Sequence, residues 1–235
     1  MFQLSHKILR LVVDTLYPNV CPVCTQPMLD SGMHICLRCE LHLPITDDFQ
    51  VPNNEVRKKF MGRLPVLNAG ALLIFSTGGA AQHIVHDFKY RGNAALALYM
   101  GTLLGGAIQA GMLTEAVEVV VPVPMHPVKQ KRRGYNQANE IAKGVAAVLG
   151  CEYAEDAVAK VTHSGSQTFL NRVQRWNNVS QAFKVHPEKV SLYAHKHVLL
   201  VDDTLTTGAT LEALGRALLE SAPCKLSVAA VASVE

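Results

Sequence analysis

At 235 residues, with 49% hydrophobic and 17% charged residues, the chain has the composition of a folded globular protein, and its length suits one substantial domain with a small appendage or two modest domains. A disordered chain is excluded. The net charge of +3 is too small by itself to name nucleic acid as a partner, and no run of about eighteen apolar residues marks a membrane span.

The first apolar stretch, ILRLVVDTLYP, is interrupted by Arg10 and Asp14 and lacks a small-residue cleavage site, so it does not read as a secretory signal. Leu4, Ile8, Leu11, Val12 and Leu16 share one face of an expected helix over 4–17 that docks on another surface. A cytoplasmic location is expected. The next stretch, CPVCTQPMLDSGMHICLRC, holds two C-x-x-C pairs, Cys21/Cys24 and Cys36/Cys39, with eleven residues between them. Two such knuckles bring four thiolates around one tetrahedral zinc, and four thiolates leave no open position for a substrate, so the metal would be structural. A disulfide pair or redox C-x-x-C motifs are the alternatives. His34 and His42 lie nearby and are not needed for a four-cysteine site. Cys151 and Cys224, beside apolar segments, read as core residues.

This first unit spans 1–44. Residues 45–67 form a polar connector or mobile surface segment without a clear period, and 68–235 form the main domain. There AGALLIF reads as a strand, and GGAAQHIVHDFKYRGN and AALALYMGTLLGGAIQAG read as helices parted by a turn at Gly92-Asn93. VEVVVPVP is a strand halted by prolines, followed by a basic loop and the helix NQANEIAKGVAAVLG. AVAKVTH reads as a further strand, and 163–181 is polar with room for a short helix at NRVQRW. Last come the strand HKHVLLVDD, the helix GATLEALGRALLES and the strand CKLSVAAVAS. Apolar strands alternating with helices predict an α/β fold whose parallel sheet is covered on both faces.

Within that pattern, VLLVDDTLTTGAT at 198–210 carries chemistry. The buried strand Val198–Val201 would deliver Asp202 and Asp203 to the carboxyl edge of the sheet, where such folds bind ligands. The turn Thr204, Leu205, Thr206, Thr207, Gly208 then leads into a helix near Ala209. Its backbone N–H groups form an anion cradle, helped by the hydroxyls of Thr206, Thr207 and Thr210. A phosphate cradle beside two carboxylates suits a ribose 5-phosphate, with the aspartates on the ribose hydroxyls directly or through Mg2+.

This stretch resembles, at every constrained position, the signature of the type I phosphoribosyltransferases. Together with the four-cysteine knuckle, FKYRGN at 88–93, VPVPMHPVKQKRRGYNQ at 121–137 and QTFLNRVQRWNNVSQAF at 167–183, it resembles the ComF family over Tyr17 to Val231. The resemblance implies a type I phosphoribosyltransferase-like domain with a zinc-ribbon-like N-terminal unit, binding of phosphoribosyl pyrophosphate with Mg2+, and a role in DNA uptake and natural transformation. Lys89, Arg91, Arg132 and Arg133 are then candidates for the diphosphate, as is the rest of the basic loop. Lys129, Lys131, Arg132, Arg133 and Tyr135 also have the make-up of a single-stranded DNA contact, with a base stacked on the ring, which Arg172, Arg175 and Trp176 would extend. Purine-salvage relatives place a carboxylate where this chain has Thr206, so purine-base transfer is not expected, and neither is a glutamine-dependent amidotransferase. Three functions stay open: a transferase with an unidentified acceptor, a sensor of phosphoribosyl pyrophosphate or a nucleotide, and a DNA-uptake factor, with DNA-uptake proteins as partners, whose nucleotide site is regulatory.

Overall fold

The computed structural model describes residues 19–28, 32–111, 115–161 and 182–234. The expected helix over 4–17 and the segment 163–181, with Arg172, Arg175 and Trp176, lie outside the described residues. After two short helices, α1 (Leu37–Glu40) and α2 (Glu55–Lys58), the chain runs through β1 (Ala69–Phe75), α3 (Ala80–Tyr90), α4 (Ala94–Ala110) and β2 (Val119–Pro122). Then follow α5 (Pro127–Arg133), α6 (Gln137–Leu149), β3 (Glu152–Tyr153) and β4 (Val158–Lys160). From Ala182 onward come β5 (Phe183–Val185), a 3-10 turn (Pro187–Leu192), β6 (His197–Leu205), α7 (Ala209–Ser221) and β7 (Lys225–Val234).

Five strands pair in parallel in the order β1-β7-β6-β2-β3. Successive side chains on a strand point to opposite faces, and this sorts the core. Leu199, Val201, Ala229 and Val231 join an apolar cluster with residues of α3, α4 and α6, such as Phe88, Met100 and Ile141. Val198, Leu200, Val228 and Ala230 join a second cluster with Leu211, Leu214 and Leu218 of α7. Both faces are covered, which is why these strands read as unbroken apolar runs. Asn93 caps α4 by accepting from the Leu96 N–H at 3.0 Å, and Asn136 caps α6 by accepting from the Ala138 N–H at 3.2 Å.

The structure corrects the sequence reading at three places. AVAKVTH does supply a strand, but β4 pairs antiparallel with β5 in a separate two-stranded sheet rather than joining the parallel one. The parallel edge is taken by the two-residue β3, too short to show a period. The polar segment 45–66 is packed rather than loose. Val56, Phe60 and Leu64 are buried in the α7-side cluster, and the Asn54 amide donates to the carbonyls of Asp48, Val51 and Ala69 at 2.7, 3.1 and 2.8 Å. The cysteine unit is likewise docked. Cys21, Ile35 and Leu43 belong to the same cluster as Phe88 and Met100, and Tyr99 of α4 donates to the Glu40 carboxylate. Among the described residues no helix is long and apolar enough to cross a membrane.

Candidate functional site

β2 and β7 accompany β6 unequally. β2 pairs from Val119↔Val198 to Pro122↔Val201 and then departs through Pro122 and Pro124, which lack an N–H for the ladder. β7 stays paired as far as Leu205↔Ser233. Beyond Val201, therefore, β6 has one open flank. The sheet order also reverses here, since β2 leads outward to β3 while β6 leads to β7 on its other side, and open α/β sheets bind ligands in such a crevice. Asp202 and Asp203 stand at this opening, inside the strand rather than beyond its end as expected, because Thr204 and the buried Leu205 continue the ladder on β7.

Alternation gives the two aspartates different surroundings. Asp203 shares a face with Leu199 and Val201 and is only 5% exposed. Its Oδ1 pairs with Lys89 Nζ at 2.6 Å, and its Oδ2 accepts from the Gln137 amide. Lys89 also donates to Thr204 Oγ1 at 3.2 Å. Asp202 lies on the other face and lines a cavity of about 240 Å³. Burial first, and then the charge of Asp203, pushes its carboxyl up to about 7, against the pull of Lys89 and Lys160. Of the two carboxyls, Asp202 faces the cavity, while Asp203 is paired with Lys89.

Lys89, Lys129, Arg133 and Lys160 bring four cations to this cavity against the single acid Asp202, with Thr210 on the α7 side. Of the residues expected at a diphosphate, Lys89 and Arg133 line the cavity. Arg91 instead pairs with Asp87 at 3.3 Å, and Arg132 is exposed outside the lining. Lys160, His126, Tyr90 and Gln137 are lining residues that the sequence reading missed. Burial lowers the pKa of Lys160, against the opposing charge of Asp202. A second cavity of about 190 Å³ shares Pro124, Met125, Asn136 and Lys160 with the first and extends to Glu155 and Asp156. A larger groove of about 590 Å³, between residues 45–59 and the ends of β1 and β7, contains none of the motif residues.

The link from β6 to α7 rests on the supposed connector. Gly208 holds φ +76° at the N-cap of α7, and Thr207 Oγ1 accepts from the Ala209 N–H at 3.4 Å. A Cβ on Gly208 would fall 2.9 Å from Cζ of the fully buried Phe60. Arg63 Nη1 donates to the Thr207 carbonyl and to the Lys59 carbonyl, both at 2.9 Å, while its Nε donates to Glu212 at 2.9 Å. Arg216 holds the other oxygen of Glu212 at 3.0 Å. Thr206 and Thr207 are left exposed on the loop. The signal for this support was the spacing of Val56, Phe60 and Leu64, which recur every fourth residue.

The basic run is a helix and not a loop. His126 caps α5 by accepting from the Val128 N–H, Pro127 occupies its first turn, and Gly134 ends it at φ +90°. Tyr135 is turned inward. Its hydroxyl donates to the Phe88 carbonyl, its ring packs on the core, and burial pushes its pKa up to about 12. The ring that reaches solvent is Tyr90, with Arg133 over it at 5.6 Å from the centroid.

The sulfurs of Cys21, Cys24, Cys36 and Cys39 lie within 4.8 Å of one another, and the Cys24 and Cys36 sulfurs are 3.7 Å apart. A tetrahedron of four thiolates at the usual zinc–sulfur distance has edges of about 3.8 Å, so the cluster can bind a metal such as zinc. Burial works against ionisation of Cys21, but N–H donation from Cys36, Cys24 and Val23 outweighs it and lowers its pKa to about 7. Burial, and then the hydrogen bonds that its thiol donates to the other sulfurs, raise Cys39. His42 Nδ1 donates to the Arg38 carbonyl at 2.7 Å and His34 contacts the Tyr99 ring, so neither belongs to the cluster. Cys151 and Cys224 are half-buried against the core, and burial raises both thiols.

Comparison with known proteins matches residues 131–235 to the family described as phosphoribosyl transferase domain. The chain is 29% identical over 138 residues to competence protein F of Haemophilus influenzae, covering 57% of this chain and 60% of that protein. It is 24% identical over 148 residues to DNA utilization protein YhgH of Escherichia coli, covering 62% and 63%, and 22% identical over 213 residues to competence protein ComFC of Bacillus subtilis, covering 86% and 72%. The first two matches thus span about three fifths of those relatives. A solved structure of the allosteric regulatory enzyme of purine biosynthesis is similar with a TM-score of 0.44 at 18% identity, covering 63% of this chain and 30% of that one. The parallel sheet flanked by helices, with the four-cysteine unit docked beside it, is the phosphoribosyltransferase-like architecture expected from the sequence.

Proposed function

Because the chain belongs to the ComF family of the phosphoribosyltransferase superfamily, we propose that it binds phosphoribosyl pyrophosphate, or a related ribose 5-phosphate, with Mg2+, and acts in the cytoplasm on single-stranded DNA during uptake. One observation carries the ligand reading: a four-cation cavity with Asp202 as its only acid opens beside the α7 N-terminus, where the sheet order reverses. The 5-phosphate sits on the loop 206–210, facing the backbone N–H groups and the positive end of the helix dipole. Asp202 accepts from the ribose hydroxyls. Lys89, Lys129 and Arg133 meet the diphosphate, and the Lys89–Asp203 pair fixes where that charge lies. Mg2+ fits the same place, since it would neutralise charge between the diphosphate and Asp202, a half-buried carboxylate whose ionisation burial resists. Zinc on the four cysteines holds the first unit together.

A transferase reading draws on one further observation. The second cavity adjoins the first at Lys160 and gives an acceptor room beside the ribose. Calorimetry of phosphoribosyl pyrophosphate with Mg2+ tests the main reading. Binding to the wild type that is lost in Asp202→Ala, with unfolding midpoints unchanged or raised, supports it. No binding at millimolar ligand overturns it.

A further inference from the structure

We propose that a single nucleic-acid strand lies on the face formed by the end of α3 and by α5, with an unpaired base stacked on Tyr90, so that strand and phosphoribosyl ligand compete for the same cations. The inference rests on the DNA-handling part of the reading above and gives it a place. Tyr90 is 67% exposed, the one aromatic among the exposed large hydrophobic side chains of the described residues, and it stands at the lip of the 240 Å³ cavity. A tyrosine combines an apolar face with a polar end, the make-up enriched at interfaces. Its surroundings hold it ready. Arg133 lies over the ring and is itself tied to the Gln137 side chain at 2.7 Å, and the His86 ring stands 4.8 Å away.

The exposed charge of α5 has one sign. α5 carries four cations and no acid, and at its exposed end Lys131 and Arg132 hold no ion pair among the described residues. The one acid of α3, Asp87, is buried and occupied by Arg91 and Asn93. With a net charge of only +3 on the whole chain, such a face is a local concentration and not a general property. Cations that track a backbone beside a ring that takes a base are the equipment of single-strand binding, and a base stacked between its neighbours in a duplex has no free face to offer. Lys89, Lys129 and Arg133 belong both to this face and to the cavity wall, which makes the two ligands rivals.

The test is fluorescence anisotropy of the full chain with a labelled oligothymidylate of about 15 nucleotides. Tyr90→Ala should weaken binding about tenfold while Tyr90→Trp keeps it. Each of Lys131→Ala and Arg132→Ala should reduce the slope of log affinity against log salt by about 0.7. Phosphoribosyl pyrophosphate should raise the apparent dissociation constant for the oligonucleotide, and by linkage the oligonucleotide should weaken the ligand. If the wild type binds no oligonucleotide, the DNA-handling reading itself fails. If it binds but all three alanine variants are silent, the strand lies elsewhere and this inference falls alone. Equal binding of a duplex of the same length, with no effect of Tyr90→Ala, would show a nonspecific polyanion contact and overturn the stacking claim.

Discussion

Gly208→Ala isolates the seat of the loop between β6 and α7. Two costs add at this position. The backbone holds φ +76°, and a left-handed conformation costs a residue with a side chain about 1–2 kcal/mol. The new methyl would also fall 2.9 Å from Cζ and 3.0 Å from Cε1 of Phe60, a ring with no exposed surface to yield into, and overpacking of that kind costs about 1–3 kcal/mol. The expected loss is therefore about 2–5 kcal/mol. Gly134 supplies the control, because its φ is +90° while nothing lies within 4 Å of its would-be Cβ, so Gly134→Ala should lose only the backbone part, about 1–2 kcal/mol. Urea unfolding of both variants measures the difference. Phe60→Leu, which shortens the ring side chain, should narrow the gap for Gly208→Ala and leave Gly134→Ala unchanged. If the two alanine variants lose equally, the loop does not sit on Phe60 and the support argued for residues 56–64 is wrong.

Asp202 should make stability fall as pH rises. Its carboxyl titrates near 3.8 when free and near 7 in the fold, so between those values the folded chain keeps a proton that the unfolded chain has lost, and the loss of stability is complete above about pH 7. Asp202→Asn should match the wild type near pH 4 and exceed it by about 2–4 kcal/mol at pH 8, and an equal difference at both values would sink the assignment of a desolvated carboxyl. Freshly reduced wild-type protein should contain zinc, and Cys36→Ser with Cys39→Ser should release it and lower the melting temperature, because Cys21 and Ile35 share a cluster with Phe88 and Met100. Metal analysis that finds no zinc in the reduced wild type would refute the cluster's role.

The chemistry of the site was written locally and its support was not. The strand, the two acids, the threonines and the glycine of 198–210 are consecutive, so their order alone predicted a carboxylate pair beside a phosphate loop at the sheet edge. Period-two alternation also separates Asp202 from Asp203, and that much was readable in advance. Which ring faces out was not. Tyr90 and Tyr135 both adjoin cations, and only the packing of α3 against the short link between α5 and α6 decides that Tyr135 donates to the Phe88 carbonyl while Tyr90 stays exposed. The basic run looked like a solvated loop because charge drew the eye from its end signals, Pro127 at the start and Gly134 at the stop. In the connector, Val56, Phe60 and Leu64 kept a helical spacing that the charged residues around them diluted. Arg63 lay beyond any such reading, because its contact with the Thr207 carbonyl spans 144 residues. A guanidinium with five donors can hold a distant loop carbonyl and a buried carboxylate together, and nothing local in RLPV announces either partner. The proposed anion cradle is therefore made of neighbours in sequence, and what holds that loop still comes from elements that only the fold brings together.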